Sequence, residues 1–488
     1  GCDFKSQSTS NGMQLLNTLS NKKERLTPRR AKRIQLFVCG LTVYDYAHIG
    51  HARTYLAFDF IAKYLTKIGY KTYYLQNITD IDDRIITRAN EMHINTKELA
   101  RNFEKTYHED ERKLRITSVS KYARATDYIP TIVRQVKLLL KKKHAYEIEG
   151  DGYYFDLSTF PRYGVLSKRT SLQAEDSVSR IDESKGKRNK GDFALWKFSK
   201  QGEPYWNTEL GKGRPGWHIE DTAITESIFG PQYDIHGGAV DLIFPHHEAE
   251  ITQQESLSNK KPLAKYWLHT GFLTINGEKM SKSLGNFITI RSFLEQHETP
   301  TLPFDAATLL RYMMLSQHYR TRIDFAETLV TQTRQALITL FDFEKRLTMY
   351  ATRTLKLRPG ADRKTQKLNN KYILKFHKAL QNDFNTPQAL ATVFEIIHTI
   401  NTKMDKQKAT LHDIVNTRAL LALLYELFGF RFRTVQIPKE VKGIVTEREE
   451  ARRTRNWQLA DELRQKAKSL GFSIEDTQKG PIIHSLYH

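Results

Sequence analysis

The sequence predicts an α/β protein built in parts: a parallel-sheet domain carrying an insertion, then a helical bundle, then a small C-terminal unit. Three observations carry this. A strand–loop–helix–strand pattern occupies 34–78, and sheet-like runs return at 233–235 and 268–275 after a charged stretch. Beyond about residue 305 strand signals nearly vanish and long amphipathic patterns take over.

Residues 34–39 (IQLFVC) are an apolar run expected as a buried strand, ended by Gly40. A helix should follow, because Leu56, Phe60, Ile61, Leu65 and Ile68 recur at helical spacing, with Gly69 as its stop. Residues 72–78 (TYYLQNI) read as the next strand, which completes a βαβ unit. The loop after the first strand then lies at the C-terminal sheet edge, where open α/β sheets bind ligands. An insertion follows, with a basic helix over 129–143, an alternating strand over 153–157 and a charged mobile loop over 183–191. Helical patterns over 306–315, 325–346, 372–380, 387–402 and 416–428 form the bundle. Pro438 marks a linker to a single basic helix over about 447–470 and a tail from Phe472. The expected domains are 1–12, a tag or disordered extension before a start at Met13; 13–114, the first half of a Rossmann-like catalytic domain; 115–205, a connective insertion; 206–304, its second half; 305–435, the bundle; and 436–488, the C-terminal unit.

A chain of 488 residues is too long for one core. A formal charge of +21 and a pI near 9.6 point to a polyanionic partner. No run of about eighteen apolar residues occurs, so no membrane span is expected. Cys2 and Cys39 are the only cysteines, which excludes a disulfide framework and fits a reducing cytoplasm. The first dozen residues lack the apolar stretch of a secretory signal.

Two strings carry the chemistry: HIGH at 48–51 and KMSKS at 279–283. HIGH lies between a strand and a helix N-terminus, where backbone N–H groups and the helix dipole favour anions. His48 and His51 add imidazole donors, and Gly50 between them admits a nucleotide close to the backbone. KMSKS follows Gly277 in a turn, so Lys279 and Lys282 sit on a loop able to close over a triphosphate. Alone, HIGH reads equally well as structural histidines and KMSKS as a solvated lysine turn; in this order and spacing they indicate one nucleotide site.

With these strings, VCGLTVYDYAHIGHART (38–54), NITDIDDRII (77–86), DFALWK (192–197), GRPGWHIE (213–220), DIHGGAVDLIFPHHEAEI (234–251), HTGFLTINGEKMSKSLGNF (269–287), LLRYMMLSQHYR (309–320) and DFNTPQAL (383–390) resemble the class I aminoacyl-tRNA synthetases, and within them the cysteinyl-tRNA synthetases. NWQLADELR (456–464) and IEDT (474–477) extend the resemblance, which covers roughly 13–480. It implies that L-cysteine and ATP give cysteinyl adenylate, which is passed to the 3′ end of tRNA(Cys). His48, His51, Lys279 and Lys282 would stabilise charge, with Mg²⁺ on the triphosphate, and the family acts as a monomer.

His246 and Glu250 lie four apart on one face of an expected helix, a spacing that lets both reach one metal. Cys39 ends the first strand at the same sheet edge, and zinc there would take a substrate thiolate far better than a serine hydroxyl. The resemblance implies a zinc set of Cys39, His246, Glu250 and a second cysteine after GWHIE, where this chain has Asp221. Three readings stay open: Asp221 ligates zinc, it stands behind a zinc held by three protein ligands, or the site holds another metal or none. By the same resemblance Thr79, Trp217, His236 and His247 surround the bound cysteine and Asp241 holds the ATP ribose. Arg448, Arg452, Arg453, Arg455, Arg464, Lys466, Lys468 and Trp457 are candidates for RNA contact. Two rivals remain: a cysteine ligase of thiol biosynthesis with an amino-sugar acceptor, and a catalytically inactive RNA-binding paralogue.

Overall fold

The structure, a computed structural model, describes residues 12–169, 184–280, 284–353, 371–435, 437–477 and 480–485. The chain forms two compact units: Gly1–Ile290 with Met314–Phe325 and Gln366–Val393, and Arg291–Met313 with Ala326–Thr365 and Phe394–His488.

The first unit is organised by a five-stranded sheet. Its elements in chain order are β1 (Arg33–Thr42), α1 (Ile49–Lys67), β2 (Lys71–Thr79), β3 (Lys121–Arg124), α2 (Trp217–Phe229), β4 (Tyr233–Ala239), α3 (His246–Ser258) and β5 (Ala264–Thr270). The strand order is β5-β4-β1-β2-β3, all parallel. From β1 the chain winds outward to β2 and β3, then returns to the other flank of β1 as β4 and β5. That Rossmann-like order puts a switch point between β1 and β4, where ligands bind in such sheets. The apolar run in β1 follows from its place: Ile34, Leu36, Phe37 and Val38 are all buried, as in a strand covered on both faces.

A register shift between Val38 and Leu41 interrupts the pairing of β1 with β2. Gly40 sits in it because a Cβ there would lie 1.7 Å from the Asn77 carbonyl oxygen. The bulge re-aims the chain beside Cys39. Gly69, at φ +102, terminates α1 as expected.

The insertion carries its own antiparallel sheet, in the order Ala145–Ile148, Gly152–Phe155, Phe193–Phe198, Gly211–Pro215, Trp206–Thr208. The structure differs from the 115–205 assignment at both ends. Lys121–Arg124 is the edge strand of the parallel sheet, and the antiparallel sheet runs on to Pro215. A four-residue strand is too short to display a period. Of the loop expected over 183–191, residue 183 lies outside the described residues, and turns occupy the part from 185 onward.

The second unit is helical, with Glu327–Arg353 and Leu411–Phe428 as its long elements. Thr410 and Asp413 form a capping box on the latter, and Gly429 ends it in the left-handed region at φ +69. The single C-terminal helix expected over 447–470 is instead two, Lys439–Arg453 and Trp457–Ser469. Arg455 breaks it at φ +59, and Asn456 caps the second helix through its side chain, 3.2 Å from the Leu459 N–H. A hairpin of Phe472–Thr477 with Gly480–Ser485 follows, and Ile444, Val445, Leu463, Ala467 and Ile474 make this part's core. Among the described residues no helix is long and apolar enough to cross a membrane.

Candidate active site

His48 is the N-cap of α1, and His51 completes a capping box with it. The His51 N–H donates to Nδ1 of His48 at 3.3 Å, and the His48 N–H donates to Nδ1 of His51 at 3.2 Å. The rings stack at 3.6 Å. Nδ1 is thus an acceptor in both, so each neutral ring carries its proton on Nε2. Burial pushes His48 down to about 4 and His51 well below the usual imidazole range, where His48 and Arg84 add to the effect. Two neutral N–H donors at a helix N-terminus suit a phosphate. Gly50 is required here by the imidazole itself: a Cβ would stand 2.8 Å from the His48 ring.

Leu273–Ile275 and Glu278–Lys279 form a hairpin whose turn residues, Asn276 and Gly277, have φ of 49° and 84°. Asn-Gly is the pair that tolerates two such positions. Asp324 clamps the turn, accepting from the Gly277 N–H at 2.7 Å and the Thr274 hydroxyl at 2.8 Å. Lys279 is exposed at the end of the second strand. Met280 reaches back to the first string, its Cε 3.3 Å from where a Gly50 Cβ would be. The strand-like pairing of His48 with Thr289, and the Ile49 N–H bond to the Ile288 carbonyl at 3.1 Å, tie the first string to the segment that follows the second. Lys282 lies outside the described residues.

At the β1/β4 switch point lies a buried cluster. Cys39 ends the apolar part of β1, His236 is on β4, His246, His247 and Glu250 are on the first turn and a half of α3, and Asp221 is on α2. None of the six is more than 5% exposed. Cys39 Sγ is 3.1 Å from His247 Nε2, 3.5 Å from His236 Nε2, 3.5 Å from Asp221 Oδ2 and 3.9 Å from Glu250 Oε1. His246 Nε2 is 2.9 Å from Asp221 Oδ2 and 3.3 Å from Glu250 Oε1. Two quartets emerge, Cys39–Asp221–His246–Glu250 and Cys39–His236–His247–Glu250, each with its ligand atoms within 4.8 Å of one another.

The cluster lacks positive charge. Burial, then Glu250 and Asp221, push the Cys39 thiol far up, and burial and Asp221 do the same to Glu250. Burial drives His236, His247 and His218 well below the usual imidazole range. Asp221 Oδ1 and Glu250 Oε2 are buried without a hydrogen bond. Buried carboxylate oxygens left unpaired beside a thiol and imidazoles fit a divalent cation.

The remaining candidates fall around this centre. Trp217 opens α2 and stacks on His246 at 4.3 Å. Thr79 is buried at the end of β2. Asp241 is exposed on the turn just after β4. Sequence reasoning missed Tyr55, a buried phenol that stacks on His51 and is pushed up by burial, Glu111 and Cys39, so it neighbours both halves of the site. It also missed that the thiol's nearest partner is His247; the HH pair at 246–247 was the signal. Of the C-terminal candidates for RNA contact, Arg448 is buried and committed to Asp476, whereas Trp457 is 59% exposed.

Residues 25–335 match the class I tRNA synthetase (C) catalytic domain, and residues 375–433 match the DALR domain. The cysteine–tRNA ligase of Thermococcus onnurineus is 39% identical over 481 residues, covering 96% of this chain and 98% of that one. That of Carboxydothermus hydrogenoformans is 37% identical over 475 residues, covering 96% and 99%. Among solved structures, Mycobacterium tuberculosis methionyl-tRNA synthetase bound by methionyl-adenylate superposes with a TM-score of 0.60 at 14% identity, over 81% of this chain and 92% of that one. A putative arginyl-tRNA synthetase from Campylobacter jejuni gives 0.54 at 15% identity, over 83% and 94%. These two likenesses concern the fold.

Proposed function

The chain belongs to the cysteine–tRNA ligases, which are class I aminoacyl-tRNA synthetases, and we propose how its residues carry that reaction. The enzyme activates L-cysteine with ATP and passes the cysteinyl group to the 3′ end of tRNA(Cys). The cysteine carboxylate attacks the α-phosphorus in line, the bond to the bridging oxygen breaks, and pyrophosphate leaves with its Mg²⁺. No protein nucleophile takes part. The Nε2–H groups of His48 and His51 face the triphosphate at the start of α1, and Gly50 keeps the His48 ring in place. Lys279 and Lys282 bring positive charge over the departing pyrophosphate, and Asp241 accepts from the ribose hydroxyls. The terminal ribose hydroxyl of the tRNA then attacks the adenylate carbonyl, and AMP leaves.

One observation carries the choice of amino acid: a thiol, two carboxylates and imidazoles buried together at the sheet edge beside the nucleotide strings. This donor set fits zinc, and the buried carboxylate oxygens without hydrogen bonds support that fit. Cys39 and Glu250 would hold the ion, with Asp221 and His246 as the completing pair that the family pattern suggests. Zinc, when bound, would take the substrate thiolate as a further ligand and so prefer cysteine to serine. Trp217, Thr79 and His236 line the same place and orient the substrate.

Reading the chain against its relatives over nearly their full length, with the DALR match and the basic C-terminal part, favours tRNA over an amino-sugar acceptor. We place the enzyme in the cytoplasm, as a monomer, with translation as its consumer. Cysteine-dependent ATP–pyrophosphate exchange tests activation, and charging of tRNA(Cys) tests the acceptor. Exchange with no tRNA charging would return the amino-sugar ligase; RNA binding with no exchange would return the inactive paralogue.

A further inference from the structure

The string NITDIDDRII (77–86) carries a cation that the proposed reaction leaves unused. Arg84 lies in the first turn of the helix Asp83–Glu91, whose N-cap is Asp82. Asp82 Oδ1 accepts from the Arg84 backbone N–H at 2.8 Å and from its Nε at 3.3 Å. The second bond holds the guanidinium by its root. Its two terminal nitrogens have no protein partner among the described residues, and the side chain is 45% exposed. The neighbouring cations are engaged: Lys197 and Arg214 both pair with Asp83.

The guanidinium lies over two rings that belong to different halves of the site. Its central carbon is 5.4 Å from the centre of the Tyr44 ring and 5.9 Å from that of Trp217. Tyr44 is in the segment between β1 and α1 that leads into His48. Trp217 stacks on His246 at the edge of the buried cluster. Attraction to both ring faces keeps the charge between the phosphate clamp and the amino-acid pocket. After burial and His48, it is the charge of Arg84 that lowers His51, so the clamp lies within its electrostatic reach.

We propose that Arg84 binds the carboxylate of the incoming amino acid and presents it to the α-phosphorus. This rests on the reading of the enzyme as one that activates cysteine. In cysteine only the β-methylene and the α-carbon separate thiol from carboxylate. With the thiol at the cluster, the carboxylate emerges beside Trp217, where the guanidinium stands. Two parallel N–H donors match a carboxylate's two oxygens. The attack also brings one anion up to another, and a cation at their junction offsets the repulsion. The carboxylate oxygen bonds to phosphorus as the bond to pyrophosphate breaks, and Arg84 keeps all its protons throughout. Helix stability does not account for this arginine, because a cation in the first turn opposes the helix dipole.

Cysteamine separates this role from a packing role, since it has the thiol and amine of cysteine and lacks the carboxylate. In calorimetric titration of the whole protein supplied with zinc, L-cysteine should bind more tightly than cysteamine. Arg84→Gln should weaken L-cysteine roughly 10–100-fold, the loss of a charge-assisted bond, and leave cysteamine unchanged. Arg84→Lys should recover part of the loss, because it restores the charge without the fork. In exchange assays Arg84→Gln should raise the KM for cysteine and leave the KM for ATP in place. Arg88→Gln, one turn on, removes a cation already paired with Glu91 at 3.0 Å and should change neither ligand. Equal weakening of both ligands by Arg84→Gln would make Arg84 a support for the Trp217 ring and overturn the proposal. Unchanged binding of both, or an equal loss in Arg88→Gln, would overturn it too. A partly unfolded variant lowers the number of sites for both ligands and leaves the ratio of their affinities readable. Unaltered protein that binds cysteine and cysteamine alike, with exchange intact, would sink the role of Arg84 alone. Unaltered protein that binds neither and shows no cysteine-dependent exchange would sink the cysteine reading with it.

Discussion

His48 and His51 hold each other at the start of α1, each ring accepting the other residue's backbone N–H at 3.3 and 3.2 Å. The capping function therefore uses Nδ1 and leaves Nε2–H for a ligand, and substitution can separate the two. His48→Asn retains an N-cap side chain and removes the Nε2 donor. We expect stability within about 0.5 kcal/mol of the unaltered protein and a fall in cysteine-dependent exchange of roughly 10²–10³-fold. His48→Ala should lose the same activity and about 1 kcal/mol of stability besides. If the His48→Asn variant retained full exchange, His48 would belong to the helix cap alone.

Gly50 supplies a second separation. Alanine in a helix ordinarily gains up to about 1 kcal/mol over glycine, yet here a Cβ would meet the His48 ring at 2.8 Å and Met280 Cε at 3.3 Å. The flexible methionine can yield; the capped imidazole cannot without breaking the box. Gly50→Ala should therefore raise the KM for ATP and lower kcat together, with the melting temperature little changed. Adding Met280→Ala should recover little. Full recovery in the double variant, by steady-state exchange kinetics, would assign the constraint to the methionine.

The contrast between these residues and the rest of the site shows what a sequence displays. His48, His51, Lys279 and Cys39 stand in short strings next to strand ends, so local pattern and resemblance place them. His246 and Glu250 share a helix face, which spacing alone reveals. The pairing of Cys39 with His247 joins a strand end and a helix 208 residues apart, and no local period records it, whereas Tyr55, four residues after His51 on α1, is open to the same spacing argument. The same holds for the fold. The apolar run of β1 announces a buried strand, whereas β3 has four residues and no period. The C-terminal helix is broken by one left-handed arginine and an asparagine cap inside a continuous helical pattern.

Two histidines of the first unit should shape the pH dependence of stability with opposite sign. Burial, helped by Lys67, lowers His377 to about 4. The unfolded chain, titrating near 6.5, then binds the proton first, so the folded state loses stability as pH falls from about 6.5 to about 4. For His108 burial alone would act the same way, but the nearby Glu104 carboxylate and the hydrogen-bonded Glu111 outweigh it and raise the group to about 9. Its contribution is present below about 6.5 and is lost as pH rises through about 9. His377→Gln should flatten the acid limb of a melting-temperature profile and His108→Gln the alkaline limb. Both variants shifting the same limb would contradict this assignment.

The C-terminal unit allows stability and RNA contact to be told apart. Arg448, 4% exposed, places its two terminal nitrogens 2.9 Å from the two oxygens of Asp476, tying the helix Lys439–Arg453 to the strand Phe472–Thr477. Removing it leaves Asp476 with Arg452 alone, 2.5 Å away, on a carboxylate that is partly exposed, at a cost of about 1 kcal/mol. Arg448→Ala should thus speed amide exchange around Ile444, Leu463 and Ile474, which form the core beneath it. Trp457 is 59% exposed and opens the second helix, so it contributes little to that core. Trp457→Ala should leave amide exchange unchanged yet weaken tRNA(Cys) binding by roughly 5–150-fold, the loss of one stacked base. If Trp457→Ala instead loosened the amides and spared tRNA binding, the indole would be a packing element and the RNA face would lie elsewhere on this unit.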